Sequence, residues 1–357
     1  MRFDWIRLWA DSYPQRIIFR SNGMVGFVEL KDDLHGYGDA SGKYETVKDR
    51  IFTVNGCLGT YLQWQDFDVE WQEYLKEARF IPDRTQRRVF HTSNFWVGKC
   101  PLMPPRLRGM PTIAMNREKQ TIYRDLVKII AKYTDRIFGY AVLLNDFRRI
   151  EKDFPFSNEI VFGQPGTLLS NLSIRNNSNW AADNNFPRAI GYIFDRGDNF
   201  LEELAKQFNE AAFEAGEDNV SSFGWKNKAE FSPLQAADIV AWECRRYWHD
   251  RFFDPVRSLI PQLPSSHELT VMVKDPDGIR MYDYDHVKNE MLDVLDAPVS
   301  QALEIDAIGE DKPFASIEDC IRWALVDLKQ DRDIKKAIRA AADQAEREKK
   351  KREKKRK

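Results

Sequence analysis

Three aspartates occupy places where a charge is costly unless it has a partner. Asp39 ends an apolar strand-like run in HGYGDASG, Asp195 ends another in GYIFDRG, and Asp238 interrupts the apolar run LQAADIVAW. A lone carboxylate in an apolar neighbourhood loses hydration, so it must be paired, hydrogen-bonded, protonated or bound to a cation. One shared cation is the simplest way to reconcile three of them. Hard divalent ions such as Mg²⁺ or Mn²⁺ take carboxylate and water oxygens. A pair of them about 4 Å apart activates water and stabilises the leaving oxygen of a phosphodiester. The chemistry so indicated is hydrolytic and needs no organic cofactor.

Each aspartate also has a plainer reading. Asp39 and Asp195, taken singly, suit a turn or a helix cap, and Asp238 suits an ion pair with Arg196, Arg245 or Lys228. His91, in FHTSNF, is either a general acid/base or phosphate contact, or a neutral imidazole packed beside a sheet. Lys226 and Lys228 precede the Asp238 segment and either neutralise a phosphate or are ordinary surface lysines.

The elements that must position these residues follow from hydrophobic period and punctuation. Strand-like runs span 34–39, 50–57 and 59–65, the first two joined across a polar stretch containing Gly42. Helical spacing follows at Phe67, Trp71, Tyr74, Leu75 and Ala78, and again at Ile122, Leu126, Ile129, Ile130 and Tyr133. Between these helices the proline-rich stretch 99–111 predicts a loop. Further strands are predicted at 137–144 and 189–194, a helix from about 199 to 215 stopped by Gly216, and a helix opened by Ser232-Pro233. Alternation places Asp39 on the strand face of His35 and Tyr37, and Asp195 on that of Gly191 and Ile193. Helical spacing puts Gln235 and Asp238 on one side of their helix. Strands first, then strands alternating with helices, predict an α/β mixed sheet covered by helices.

Composition excludes several classes. The 54 basic and 56 acidic residues give a formal net charge of −2, so any basic surface must be local. Cys57, Cys100, Cys244 and Cys320 form no C-x-x-C pair, which argues for reduced thiols in a cytoplasm and against a zinc ribbon or disulfide scaffold. No run approaches a membrane span and the opening residues are broken by charge, so a cytoplasmic protein is expected. Gly36, Gly38 and Gly42 are followed by a hairpin instead of a helix, unlike a dinucleotide fingerprint. The signatures G-x-x-x-x-G-K-[ST], H-E-x-x-H and G-x-S-x-G are absent. From 328 to 357 there are 14 Lys and Arg against 6 Asp and Glu, with acid-base pairs four apart such as Asp343 and Arg347. This predicts a solvated basic helix, either a solubilising tail or an electrostatic arm for nucleic acid.

The stretches YGDASGKYETVKDRIFTVNG, FHTSNF, YIFDRGDNFLEEL and FSPLQAADIVAWECRR together resemble the bacterial domain-of-unknown-function family three thousand eight hundred. Its pattern is an Asp-Glu-Ser-Gly hairpin and a C-terminal Gln-x-x-Asp helix, and the resemblance covers about Leu34 to Trp248. It implies a ribonuclease-H-like fold. The family's first aspartate falls on Asp39, followed by Ser41 and Gly42, its C-terminal pair falls on Gln235 and Asp238, and its histidine falls on His91. Asp195 takes the strand-end position between them. Ala40 stands where the family usually has Glu, so either a neighbouring acid such as Asp198 or Glu243 substitutes, or activity is reduced or lost.

The expected organisation is an N-terminal extension (1–33), a ribonuclease-H-like domain (34–253), an accessory region (254–326) and a basic helical tail (327–357). The expected function is a Mg²⁺- or Mn²⁺-dependent nuclease or related phosphoryl-transfer enzyme acting on nucleic acid. Asp39, Asp195 and Asp238 are its metal ligands, His91 joins them in catalysis, and Ser41, Gly42, Gln235 and Lys228 support the substrate. The alternative is a catalytically silent binding module of the same fold in a mobile-element or phage-defence system.

Overall fold

A computed structural model describes residues 4–6, 17–21, 24–28, 34–44, 49–98, 102–186, 190–206, 220–253, 279–295, 316, 318–334 and 336–337. The chain divides into two compact units, Met1–Val142 with Gly166–Met281, and Leu143–Pro165 with Tyr282–Lys357.

In the first unit, β1 (Asp4–Ile6), β2 (Ile17–Ser21) and β3 (Met24–Val28) form a small antiparallel sheet. β4 (Leu34–Ser41) pairs antiparallel along its whole length with β5 (Ile51–Thr60), from Leu34 opposite Thr60 to Ser41 opposite Thr53. The run 59–65 is not a third strand. β5 continues unbroken to Thr60, where Gln63 N–H donates to the Thr60 hydroxyl and Thr60 N–H to the Gln63 side chain, a reciprocal capping box. That pairing turns the chain into α1 (Tyr61–Glu77). Trp64, Phe67, Trp71 and Leu75 then recur at helical spacing and are buried.

α2 (Thr92–Val97) and α3 (Thr112–Tyr133) follow, separated by a segment whose described part includes a 3₁₀ turn at Pro105–Gly109. Next come β6 (Arg136–Leu143), then α4 (Leu144–Asp153) in the second unit, then α5 (Pro165–Asp183) and β7 (Ile190–Asp195) in the first. A short helical stretch at 201–206, α6, is the described part of the helix expected over 199–215. β8 (Val220–Lys226), α7 (Ser232–Phe253) and β9 (Ile279–Tyr282) complete the sheet.

Its strand order is β8-β7-β4-β5-β6-β9, with β4 parallel to β7 and β7 parallel to β8. The architecture is thus α/β, a mixed six-stranded sheet flanked by helices. One face carries the aromatic core, in which Tyr37, Trp64, Phe67 and Trp71 pack with Ile130, Leu234 and Ile239. On the other, Arg136 donates to Asn176 of α5 and stacks over Trp180. Gly38 serves cross-strand packing there: a Cβ at this position would lie 2.5 Å from the Phe194 ring.

His35 lies under this core, its carbonyl accepting from Trp64 Nε1 at 3.0 Å, and burial pulls its imidazole down to about 4. The folded state therefore stays neutral while the unfolded chain protonates near 6.5. The stability from this group is present above pH 6.5 and is lost as pH falls toward 4. Relative to His35→Asn, which does not titrate, the wild type is expected to lose up to about 3 kcal/mol over that window. Urea unfolding at pH 7 and pH 4.5 measures the difference; a pH-independent difference would place the ring in water.

The second unit groups residues 143–165 with 282–357. Residues 143–165 leave the sheet domain because α4 buries Leu144, Phe147 and Ile150 on one face. They join α8 (Tyr284–Val294), whose Tyr284 donates through its N–H to Asp146 and through its hydroxyl to Asp153. A last helix, α9, covers 318–334 and starts ahead of 327, because Cys320, Ile321, Ala324 and Leu325 form a buried stripe. Residues 254–278 and most of the basic tail, 338–357, lie outside the described residues.

Candidate active site

β4 and β7 are parallel neighbours with Gly38 opposite Phe194, so the next residue on each, Asp39 and Asp195, stand side by side at the carboxyl ends. Ends of parallel strands, where the backbone leaves the sheet, are the usual place for a ligand crevice. Two like charges on adjacent strands repel each other, and a third arrives from above. α7 crosses the same face and delivers Asp238.

What holds them together is Lys228. Its Nζ lies 3.1 Å from Asp39 Oδ2, 3.1 Å from Asp195 Oδ2 and 3.1 Å from Asp238 Oδ1. Lys228 follows β8 in a turn, in which Asn227 Oδ1 accepts from Ala229 N–H and Glu230 N–H donates to Asn227 carbonyl. Its own N–H donates to Asp195 Oδ1 at 3.2 Å, and its carbonyl accepts from Gln235 Nε2 at 3.1 Å. Among the three partners proposed from sequence for Asp238, Lys228 is the one in contact. Arg245 instead pairs with Asp49.

A fourth carboxylate lies beside the cluster. Asp198 follows β7 after a turn closed by its N–H to the Asp195 carbonyl, and its buried Oδ2 has no hydrogen-bond partner. Burial, and then the charge of Asp195, push Asp198 up to about 7 against the pull of Lys228. Burial also raises Asp39 well above the usual carboxylate range, against Lys228, with Asp238, Asp198 and Asp195 adding to the rise. Burial pushes Asp238 the same way, but Lys228, His91 and the Thr92 N–H outweigh it and hold it low. Neighbouring carboxyls are thus pushed in opposite directions, Asp39 and Asp198 up and Asp238 down. Of the two acids considered as substitutes at Ala40, Asp198 stands beside the cluster, under the charges of Asp195 and Lys228, while the Ala40 N–H donates to Asp39 Oδ1 at 3.0 Å. Glu243 does not; it accepts from Tyr123 OH at 2.7 Å and pairs with Arg246.

His91 precedes α2, and its Nδ1 lies 3.6 Å from Asp238 Oδ2, with 37% of the side chain exposed. The same oxygen accepts from Thr92 N–H at 2.7 Å. Gln235 belongs to the scaffold rather than the substrate surface. Fully buried, its Oε1 accepts from Trp71 Nε1 and Phe90 N–H, and its Nε2 reaches the carbonyls of Lys228 and Arg88. Gln235→Leu strands two donors and frees the Lys228 turn, at about 1–3 kcal/mol per orphaned group. A fall in Tm well beyond that of a surface substitution is expected in a thermal melt, and an unchanged Tm would refute the scaffold role.

Gly42 also has a structural reason to be glycine. Its φ is +117°, and a Cβ would lie 2.6 Å from the Ile51 carbonyl oxygen, so it turns β4 toward β5. Ser41 ends β4, its carbonyl accepting from the Thr53 hydroxyl. Lys226, opposite Asp195 on β8, lies over the Phe231 ring. Sequence reasoning named Asp198 as a possible substitute at Ala40 and Lys228 as a possible partner of Asp238, but missed that one ammonium, that of Lys228, contacts all three aspartates. The one available signal was that Lys228 flanks the motifs at short range.

Among the described residues, no three Asp, Glu, His or Cys side chains stand grouped as a ready-made metal cage. The reason lies in the spacing: carboxylates 3.1 Å from a nitrogen are set for an ammonium, whereas Mg²⁺ takes oxygens at about 2.0–2.1 Å. The donor chemistry itself suits a hard divalent ion. Three carboxylates contact one ammonium, which leaves negative charge in a buried place, and the orphaned oxygen of the neighbouring Asp198 is a further unused donor.

No helix among the described residues is long and apolar enough to cross a membrane. A scan of the chain against protein-family models finds no match, and a search of curated proteins finds none.

Proposed function

We propose that the chain is a divalent-metal-dependent nuclease or related phosphoryl-transfer enzyme acting on nucleic acid, built on a ribonuclease-H-like fold. The observation that carries this reading is the meeting of Asp39, Asp195 and Asp238, from two strand ends and a helix, around one cation position. The mixed sheet with helices on both faces supports the fold assignment. Mg²⁺ or Mn²⁺ held by these three aspartates would supply activation of water and stabilisation of the leaving oxygen.

The chain's own groups do the rest. Asp238, held ionised by Thr92 N–H, His91 and Lys228, keeps a fixed negative charge at the site. His91, partly exposed beside it, is placed to move a proton at the nucleophile or leaving group. Gln235 keeps the Lys228 turn in register with Asp195. The test is cleavage of labelled DNA and RNA, single- and double-stranded, with Mg²⁺ or Mn²⁺ and with chelator. Metal-dependent cleavage is expected on at least one, and none on any would refute the activity.

A second reading, the silent binding module, is favoured by Ala40 and by Lys228 standing where a cation would. It requires nucleic-acid or protein binding with no specific Mn²⁺ uptake.

A further inference from the structure

The ammonium of Lys228 and a metal ion cannot share one position, and this bears on how the site works if the reading above is right. Lys228 is anchored through its backbone, by Asp195 Oδ1 on its N–H and Gln235 Nε2 on its carbonyl. Among the described residues of the cluster it has the long, flexible side chain, and 16% of that side chain reaches solvent, more than any of the three carboxylates it holds. Rotation about side-chain bonds is therefore enough to withdraw the ammonium while the turn stays in place. Withdrawn, it stays tethered to the same turn through the Lys228 backbone, a point charge of the kind that meets a phosphate oxygen.

We propose that Lys228 is an exchangeable internal cation. It holds Asp39, Asp195 and Asp238 together in the metal-free protein, gives up that position to a divalent ion, and then contacts the phosphate of the substrate. No bond forms or breaks in this exchange; one cation replaces another on the same carboxylates. The gap between ammonium and metal spacing has the same origin, since the carboxylates close in only after the larger cation leaves.

Two measurements test it. Calorimetric titration of Mn²⁺ into Lys228→Met is expected to show affinity about ten-fold tighter than the wild type, because the resident competitor is gone. Unchanged or weaker affinity would overturn the proposal. Where that variant fails to fold, the wild type decides: acetylation of lysine amines, read by mass spectrometry, is expected to rise several-fold at Lys228 on saturation with Mn²⁺. Mn²⁺ uptake with no change in Lys228 labelling would overturn the exchange and leave the metal-dependent reading standing. Absence of Mn²⁺ uptake by the wild type would overturn both.

Discussion

Replacing Lys228 with methionine is expected to destabilise the metal-free protein by about 3–5 kcal/mol at pH 7.5, at the upper end because one ammonium serves three buried carboxylates. The loss should shrink as pH falls. Asp198 already titrates at about 7 and Asp39 well above the usual carboxylate range, so acid supplies protons in place of the missing charge. The sign follows from linkage: groups with raised folded pKa contribute stability at low pH and lose it as pH rises through that value. Urea unfolding of wild type and variant at pH 7.5 and pH 5 measures both parts. A cost under about 0.5 kcal/mol at pH 7.5, the range of a surface change, would mean that the ammonium is solvated and the cluster open.

Asp238→Asn is expected to do the opposite, with little effect on stability and a large one on activity. The amide oxygen can still accept from Thr92 N–H, and Lys228 keeps Asp39 and Asp195, so no charge is stranded. From the sequence alone, Asp238 is either a metal ligand or half of an ion pair. The observed site removes that choice, because the partner is shared among three acids. A stability change within about 1 kcal/mol, of either sign, is expected. Metal-dependent cleavage should fall by about 10³-fold or more, roughly 4 kcal/mol of transition-state stabilisation. Cleavage assays with thermal melts of the same preparations check the pair of outcomes. Retained cleavage would remove Asp238 from the chemistry.

The convergence of the aspartates was legible because strand alternation and helical period are local rules. Asp39 with His35 and Tyr37, Asp195 with Gly191, and Asp238 with Gln235 each needed only a few residues of sequence. The hub was not legible. Lys228 finds Asp39 189 residues away, through the parallel register of β4, β7 and β8 and a turn set by Asn227, none of which has a period. Gln235 entered the expected site through the resemblance, whose C-terminal pair falls on Gln235 and Asp238, and helical spacing puts it on the Asp238 side of its helix. Its partners, Trp71 and Phe90, lie on elements that approach only in the folded chain. The end of β5 could have been read, since Thr60 and Gln63 have capping-box spacing. The division into units could not, because the helix that covers α4 is α8, more than 130 residues later in the chain.

The central claim is that Asp39, Asp195 and Asp238 bind a divalent ion, and Mn²⁺ titration calorimetry of the wild type and Asp39→Asn tests it most directly. Saturable uptake by the wild type is expected, with heats that vary with buffer because Asp39 and Asp198 release protons as the ion enters. That uptake is expected to be lost in the variant. Heats indistinguishable from the buffer blank in the wild type, or equal uptake by Asp39→Asn, would contradict it.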